Sequence, residues 1–220
     1  MSKTKPIIGI STGDPNGIGV EVILKCFSDK RMFDFMTPVV FSNYELVKAQ
    51  AVHFNLKVGL NNLSDFKNLK PNSLNIYEAS KGKFNLDFGK SEESGGQLSR
   101  ESLTTASSFL KTKKIDALVT APINKKNILH ESFDFMGHTD FLNKTFDGEA
   151  MMFMVSQDLK IALLTEHIPI DQITENVSKD LIEKKIKTID MSMKKDFGIQ
   201  RPKIAILSIN PHAGDDGIIG

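Results

Sequence analysis

The 220-residue chain contains one cysteine and no tryptophan. The single thiol, Cys26, excludes an internal disulfide, so the chain is not a disulfide-stabilised secreted domain and a reducing compartment is expected. The densest apolar run, AMMFMV at 150–155, is far shorter than the roughly 20 residues of a membrane-spanning helix. The N-terminal MSKTKPIIGIS likewise has too short an apolar run for a signal peptide. These absences predict a cytoplasmic protein without a membrane partner.

Neither sign of charge is in excess. Lysine and arginine total 28 against 27 for aspartate and glutamate, which gives a formal net charge of +1. Nucleic-acid-binding proteins usually carry a basic excess or stripe, so no nucleic-acid partner is expected. The length and the 40% hydrophobic content suit one large domain or two small ones, each with a real core.

Short apolar runs alternate with longer helix-like patterns. The candidate strands are 6–10, 38–42, 73–77, 116–121, 150–155, 160–165 and 203–209. Helices are predicted at 94–113 and 178–195, and Ser178 is the expected N-cap of the second. This alternation predicts an α/β fold with a largely parallel sheet.

In parallel sheets, ligands gather beyond the carboxyl ends of the strands. Four loops follow candidate strands, at 11–21, 122–127, 166–170 and 210–217, and the last two contain His167 and His212. If both strands lie in one sheet, the two imidazoles could share a metal ion, because neutral imidazole is the commonest metal ligand. Two histidines do not complete a catalytic zinc site, which usually has three protein ligands. The alternative interpretation is two unrelated surface histidines.

Two further loops have alternative interpretations. The glycines of GDPNGIG at 13–19 do not form the dinucleotide fingerprint, and they indicate either an anion site at a helix start or a tight turn. In MGHTDFL, Thr139 is expected to cap a helix, and the neighbouring His138 suits an anionic substrate at its N-terminus. Simple capping beside a solvated histidine is the alternative. Lys125 follows a strand end and is left unassigned.

Five motifs taken together resemble one protein family. GDPNGIGVE, VTAPINK, GHTDFL, TEHIP and NPHAGDDG occur in order from Gly13 to Gly217, and the chain is thereby similar to the 4-hydroxythreonine-4-phosphate dehydrogenases. The resemblance implies an isocitrate/isopropylmalate dehydrogenase-like fold, with two α/β/α domains around a cleft. We expect these as residues 1–130 and 131–220, both incomplete. Val20 stands where the family usually has proline.

The same resemblance implies a chemistry. His138 and Thr139 would contact a phosphorylated substrate, while His167 and His212 would bind a divalent metal ion such as Zn²⁺, Mg²⁺ or Co²⁺. The family's third ligand is a histidine of a YHDQG-like motif, contributed by the other subunit of a homodimer whose active site lies at the subunit interface. That motif is absent from the 220 residues, so we expect a longer protein that continues beyond Gly220.

The implied reaction oxidises 4-phosphooxy-L-threonine with NAD or NADP, and decarboxylation follows. Related dehydrogenases act on threonate or erythronate phosphate, or on aromatic dihydrodiols, and the loops do not separate these substrates. A metal-dependent hydrolase is a further alternative, although no H-x-H or H-E-x-x-H arrangement is present. The last alternative is a non-catalytic phosphate-binding domain.

Overall fold

A computed structural model describes residues 5–82, 84–130, 133–135 and 137–219. The chain divides into two compact units, Met1–Gly148 and Glu149–Gly220. The assignment of family domains to residues 1–130 and 131–220 stays a prediction, because these units reflect contacts within this chain alone. Within the described ranges, no helix is both long and apolar enough to cross a membrane.

The first unit contains a five-stranded parallel sheet. Its strands are β1 (Ile7–Ser11), β2 (Thr37–Ser42), β3 (Leu60–Leu63), β4 (Leu74–Glu78) and β5 (Ala117–Thr120), in the order β3-β4-β2-β1-β5. All four neighbouring pairs are parallel. The predicted α/β fold with a parallel sheet is therefore confirmed, and four of the predicted strands lie in this sheet.

Helices cover both faces of this sheet. They are α1 (Gly19–Ser28), α2 (Met32–Phe35), α3 (Tyr44–His53), α4 (Glu93–Lys111), α5 (Lys125–Ile128) and α6 (His138–Thr145), with a 3-10 turn at Phe66–Asn68. One core cluster joins α1 and α3 to the sheet through Leu24, Val47 and Ile76. A second packs α4 against the opposite face through Ala106 and Phe41. Alternate strand residues face the two clusters, as expected of strands buried on both sides.

The second unit has little regular structure. Its strands β6 (Phe153–Val155) and β7 (Lys160–Ala162) form an antiparallel pair, and its helices are α7 (Ile173–Asn176) and α8 (Lys179–Lys195), with 3-10 turns at Ile170–Gln172 and Asp215–Gly217. The predicted cap of α8 is confirmed, because the Ser178 side chain accepts a hydrogen bond from the backbone N–H of Leu181.

Residues 203–209 were predicted as a strand, and this prediction is wrong. The segment forms no strand within the described residues, and Leu207 is 88% exposed. Apolar composition favours an extended chain, but a strand also needs a neighbouring backbone to pair with its N–H and C=O groups.

An ion pair ties α8 to the start of this unit. The Nζ atom of buried Lys185 lies 3.5 Å from Glu149 Oε1, and the Nζ atom of Lys184 lies 3.1 Å from Glu149 Oε2. Burial raises the pKa of Glu149, but the hydrogen bonds and charges of both lysines outweigh it and hold the pKa below its usual value. The pair thus compensates the buried lysine charge.

Candidate functional site

The loops after β1 and β5 meet at the carboxyl edge of the parallel sheet. From β1 the chain proceeds to β2 on one side, whereas β5 lies on the other side of β1. The backbone N–H of Asp14 donates to Pro122 O at 3.0 Å, and that of Ala121 donates to Ser11 O at 2.9 Å. Such a reversal of strand order is where open α/β sheets bind ligands. Two of the four candidate loops therefore come together at this edge.

Gly13 makes this close approach possible. Its φ is +65°, and a Cβ atom there would lie 2.0 Å from the carbonyl oxygen of Pro122. Only glycine meets both requirements without strain. Of the two interpretations of the glycine loop, the tight turn is therefore the one that the geometry supports.

Hydroxyl groups hold the start of the glycine loop. The hydroxyl of Ser102, on α4, accepts a hydrogen bond from the N–H of Thr12 at 3.0 Å and donates one to Phe41 O. Thr12 and Ser102 are both fully buried. One side chain of α4 thus joins the ends of β1 and β2, which makes the position of Gly13 well defined.

Three polar side chains beside the glycine loop are buried. Asp14, Asn16 and Gln50 are 8%, 5% and 0% exposed. The Asp14 carboxylate accepts the N–H of Asn16 at 3.0 Å, and the Gln50 amide donates to Pro15 O at 2.8 Å. Sequence reasoning missed this cluster, although Asp-Pro-Asn between a strand and a helix is typical of a side-chain-stabilised turn.

His138 and Thr139 lie at the beginning of α6. The N-cap residue is Gly137, which makes no side-chain cap, so the prediction that Thr139 caps this helix is wrong: Thr139 lies inside the first turn. Both side chains are half-buried. The Nε2 atom of His138 is buried with no hydrogen-bond partner among the described residues, and burial lowers the pKa of this imidazole. A neutral ring with an unpaired nitrogen suits a ligand contact.

Aromatic packing fixes this helix start. Phe141 stacks on Phe133 at a centroid distance of 5.1 Å and meets Phe135 edge-on at 5.2 Å. The same cluster includes Leu103 of α4 and Ile128 of α5. Because α4 also holds the glycine loop, the substrate-contact residues predicted by resemblance belong to the same packed unit as that loop.

His167 and His212 belong to the second unit and are both exposed. Their predicted convergence assumed strands of one sheet, and the structure contradicts that assumption. His167 follows β7 of the two-stranded antiparallel pair, whereas the segment before His212 forms no strand. Their assignment as metal ligands stays a prediction.

The backbone around both histidines is unusual. His167 has a φ of 54°, and all five residues from Ala213 to Gly217 have positive φ. Non-glycine residues are uncommon in this region, and such strain often accompanies function. The N–H of His212 donates to the side chain of Asn210 at 2.9 Å, which shapes the start of its loop.

The donor set fits a divalent metal ion only in part. Both imidazoles are free of hydrogen bonds and ion pairs within the described ranges, and imidazole is a suitable donor. However, no group of three or more histidine, cysteine, aspartate or glutamate residues in the described part of the chain could hold a metal ion. The described residues therefore bring together no complete three-ligand site.

Both the sequence and the fold are similar to those of known proteins. Residues 34–220 match the profile of a family described as pyridoxal phosphate biosynthetic protein PdxA. A 4-hydroxythreonine-4-phosphate dehydrogenase from Bacteroides thetaiotaomicron is 34% identical over 222 residues, which cover 100% of this chain and 61% of that protein. A protein from Cutibacterium acnes that is named as a D-threonate 4-phosphate dehydrogenase is 30% identical to this chain. The match covers 100% of this chain and 64% of that protein.

A solved structure shares the fold. The crystal structure of a 4-hydroxythreonine-4-phosphate dehydrogenase from Burkholderia phymatum matches with a TM-score of 0.84 and 25% identity, over 99% of this chain and 67% of that one. The chain thus spans less than two thirds of the length of both curated relatives.

Proposed function

Because the chain belongs to the PdxA family of pyridoxal phosphate biosynthetic proteins, we propose that it acts in the NAD- or NADP-dependent oxidation of 4-phosphooxy-L-threonine. The product would be 2-amino-3-oxo-4-phosphooxybutanoate, which loses CO₂ to give 3-amino-2-oxopropyl phosphate. The observation that carries the proposal is the family match over residues 34–220, and the name of the Bacteroides relative supports the substrate.

His138 and Thr139 are the proposed substrate contacts. Burial lowers the pKa of the His138 ring and favours its neutral form. Its Nε2 atom would therefore form a hydrogen bond with the substrate without adding a charge to the site. Thr139 adds a hydroxyl in the first turn of α6, where backbone N–H groups favour anions such as the substrate phosphate. Together they would orient the substrate for oxidation.

His167 and His212 are the proposed protein ligands of a divalent metal ion, with Zn²⁺, Mg²⁺ and Co²⁺ as candidates. When bound, such an ion lowers the pKa of a substrate hydroxyl and stabilises negative charge on its oxygen, while the nicotinamide ring accepts the hydride. The two histidines would each offer a ring nitrogen to that ion. A third ligand from the other subunit of a homodimer is part of the proposal.

The test is a spectrophotometric assay at 340 nm. Protein, 4-phosphooxy-L-threonine, a divalent metal salt and NAD⁺ or NADP⁺ should together produce NADH or NADPH, and omission of any component should stop it. Because the chain spans 61% of the length of the Bacteroides relative, the complete product of the gene is the form to assay. Absence of reduced cofactor with a correctly folded, metal-loaded dimer would contradict the proposal.

A second candidate substrate class is a phosphorylated sugar acid, threonate or erythronate 4-phosphate. The similarity to the Cutibacterium acnes relative favours it. The same assay separates the two, since the preferred substrate has the higher kcat/KM.

The cytoplasm is the proposed compartment, because one cysteine and a nicotinamide-dependent reaction both suit a reducing environment.

A further inference from the structure

The segment between β4 and α4 lies against the glycine loop. We define residues 84–91 as the strap and propose that it is a lid that opens locally over Asn16 at the carboxyl edge of the sheet. The inference goes beyond the proposed function and is tested without substrate. Phe84 and Leu86 anchor the start of the strap to the hydrophobic core, and the part that would open, residues 87–91, is held by a small set of contacts.

Asn16 forms the central attachment. Its side-chain Oδ1 accepts the backbone N–H of Asp87 at 2.9 Å, and its backbone carbonyl accepts that of Gly89 at 2.9 Å. A further backbone hydrogen bond, from Lys90 to Asp87, closes a turn within the strap. One residue of the glycine loop thus binds two N–H groups of the strap.

Side chains attach the strap at its middle and at its C-terminal end. The Phe88 ring lies 4.8 Å from that of His53, the last residue of α3, and 5.4 Å from that of Phe54, which follows it. At the C-terminal end, the Ser91 hydroxyl donates to the side chain of Asn127. Neither attachment is deeply buried, since Phe88 is 36% exposed and Ser91 is also exposed.

The remainder of the strap has the properties of a locally unstable segment. It contains no helix or strand, and six of its eight residues, Asn85 and 87–91, are exposed, whereas Phe84 and Leu86 at its start are half-buried against the core cluster of α1 and α3. Gly89 has a φ of +80°, and among the described residues, its chain neighbours aside, no atom lies within 4 Å of the position its Cβ would take. Segments with few buried contacts open at a lower free energy than the global unfolding of their domain.

Opening would change what the sheet edge presents. Asn16 is now 5% exposed, with both oxygen atoms engaged by the strap. Release frees two hydrogen-bond acceptors at the point where the loops after β1 and β5 meet, the expected position for a ligand. Ligands with hydroxyl or amide N–H donors are the chemical class that these acceptors would recognise.

Hydrogen–deuterium exchange of the 220-residue chain tests the lid. In the wild type, the strap amides should exchange faster than those of α4 and slower than those of an unstructured peptide. Asn16→Ala should accelerate exchange at Asp87 by about two- to tenfold, the effect of one ordinary hydrogen bond.

Two variants keep the test decisive if Asn16→Ala fails to fold. Phe88→Ala loosens the strap from its other side and should also accelerate exchange at Asp87, whereas Asn85→Ala changes an exposed side chain of the strap and should not. The proposal is overturned if strap amides exchange as slowly as those of α4, because opening would then require global unfolding. It is also overturned if neither Asn16→Ala nor Phe88→Ala changes exchange at Asp87.

Discussion

Gly13 is the position where the geometry of the sheet edge is most sensitive to a small change. We consider the substitution Gly13→Ala, which adds one methyl group to the turn that brings the loop after β1 against the loop after β5. The added Cβ would lie 2.0 Å from Pro122 O and 2.9 Å from Ala121 O. Both are backbone atoms, so the clash cannot be relieved by rotation of a side chain.

Two separate costs give the magnitude. An alanine at a φ of +65° costs about 1–2 kcal/mol, because the left-handed conformation is unfavourable for residues with a Cβ. Displacement of Pro122 also breaks the hydrogen bond from Asp14 N–H, which contributes about 0.5–1.5 kcal/mol. With the remaining steric strain we expect a loss of about 2–4 kcal/mol, equivalent to roughly 4–16 °C in Tm.

Two other glycines separate these contributions. Gly89 has a φ of +80° with open space around it, so Gly89→Ala should cost only the conformational term of about 1–2 kcal/mol. Gly59 lacks a positive φ, and its Cβ would make an ordinary contact of 3.7 Å, so Gly59→Ala should be within about 0.5 kcal/mol of wild type.

The assay follows from the composition. The chain has no tryptophan and two tyrosines, Tyr44 and Tyr77, both in the first unit. Tyrosine fluorescence during urea unfolding therefore reports the unit that contains Gly13. A Gly13→Ala variant no less stable than Gly89→Ala would refute the inferred contact between the two loops.

Three further predictions concern polar side chains that are buried or partly buried. Asn75 is fully buried and its side chain makes five hydrogen bonds, so Asn75→Ala should lower the free energy of unfolding by about 2–4 kcal/mol in urea, whereas exposed Asn62→Ala should change it by less than about 0.5 kcal/mol. Because burial lowers the pKa of His138, the unfolded state binds the proton more tightly. The free energy of unfolding should therefore fall as pH drops from about 6.5 towards the lower pKa of the folded state. His138→Gln should lack this contribution, and a variant with the same pH dependence as the wild type would contradict the prediction. The pKa of Glu149 is also lowered, so its contribution is present above about pH 4.5 and lost below it, and Glu149→Gln should cost about 1–3 kcal/mol at pH 7, mainly by leaving Lys185 uncompensated.

The strands of the first unit were predictable where the pattern was strong. Apolar runs identified β1, β2, β4 and β5, because strands buried on both faces are apolar throughout. The strand β3, Leu60–Leu63, was missed since two of its four residues are asparagine. Asn61 is buried there only because its side chain bonds Asn75 and Asn68, a tertiary arrangement that no local pattern reveals.

Helix starts show the same division between local and tertiary information. The cap by Ser178 is a local interaction three residues along the chain, and it was predicted correctly. The start of α6 was misplaced because extended Gly137, with a φ of 168°, precedes the helix, while aromatic packing by Phe141 positions it. Likewise, the unpaired segment at 203–209 shows that strand pairing depends on a neighbour as well as on composition.

The sequence identified the loops of the candidate site but only part of their arrangement in space. The loops after β1 and β5 were identified as candidate ligand loops because each follows a candidate strand, and the structure brings them together. The buried positions of Asp14, Asn16 and Gln50 depend on contacts with distant segments, so they could not be read from spacing. The roles of His167 and His212 come from family resemblance and stay predictions.

Metal stoichiometry tests the proposed chemistry most directly. The complete gene product should bind one Zn²⁺ or Co²⁺ per active site, measured by elemental analysis after dialysis. His167→Ala and His212→Ala should each lose that ion and turnover together, whereas His138→Ala should keep the ion and lose turnover. Unchanged metal content in both the His167→Ala and His212→Ala proteins would contradict the assignment of these two imidazoles as ligands.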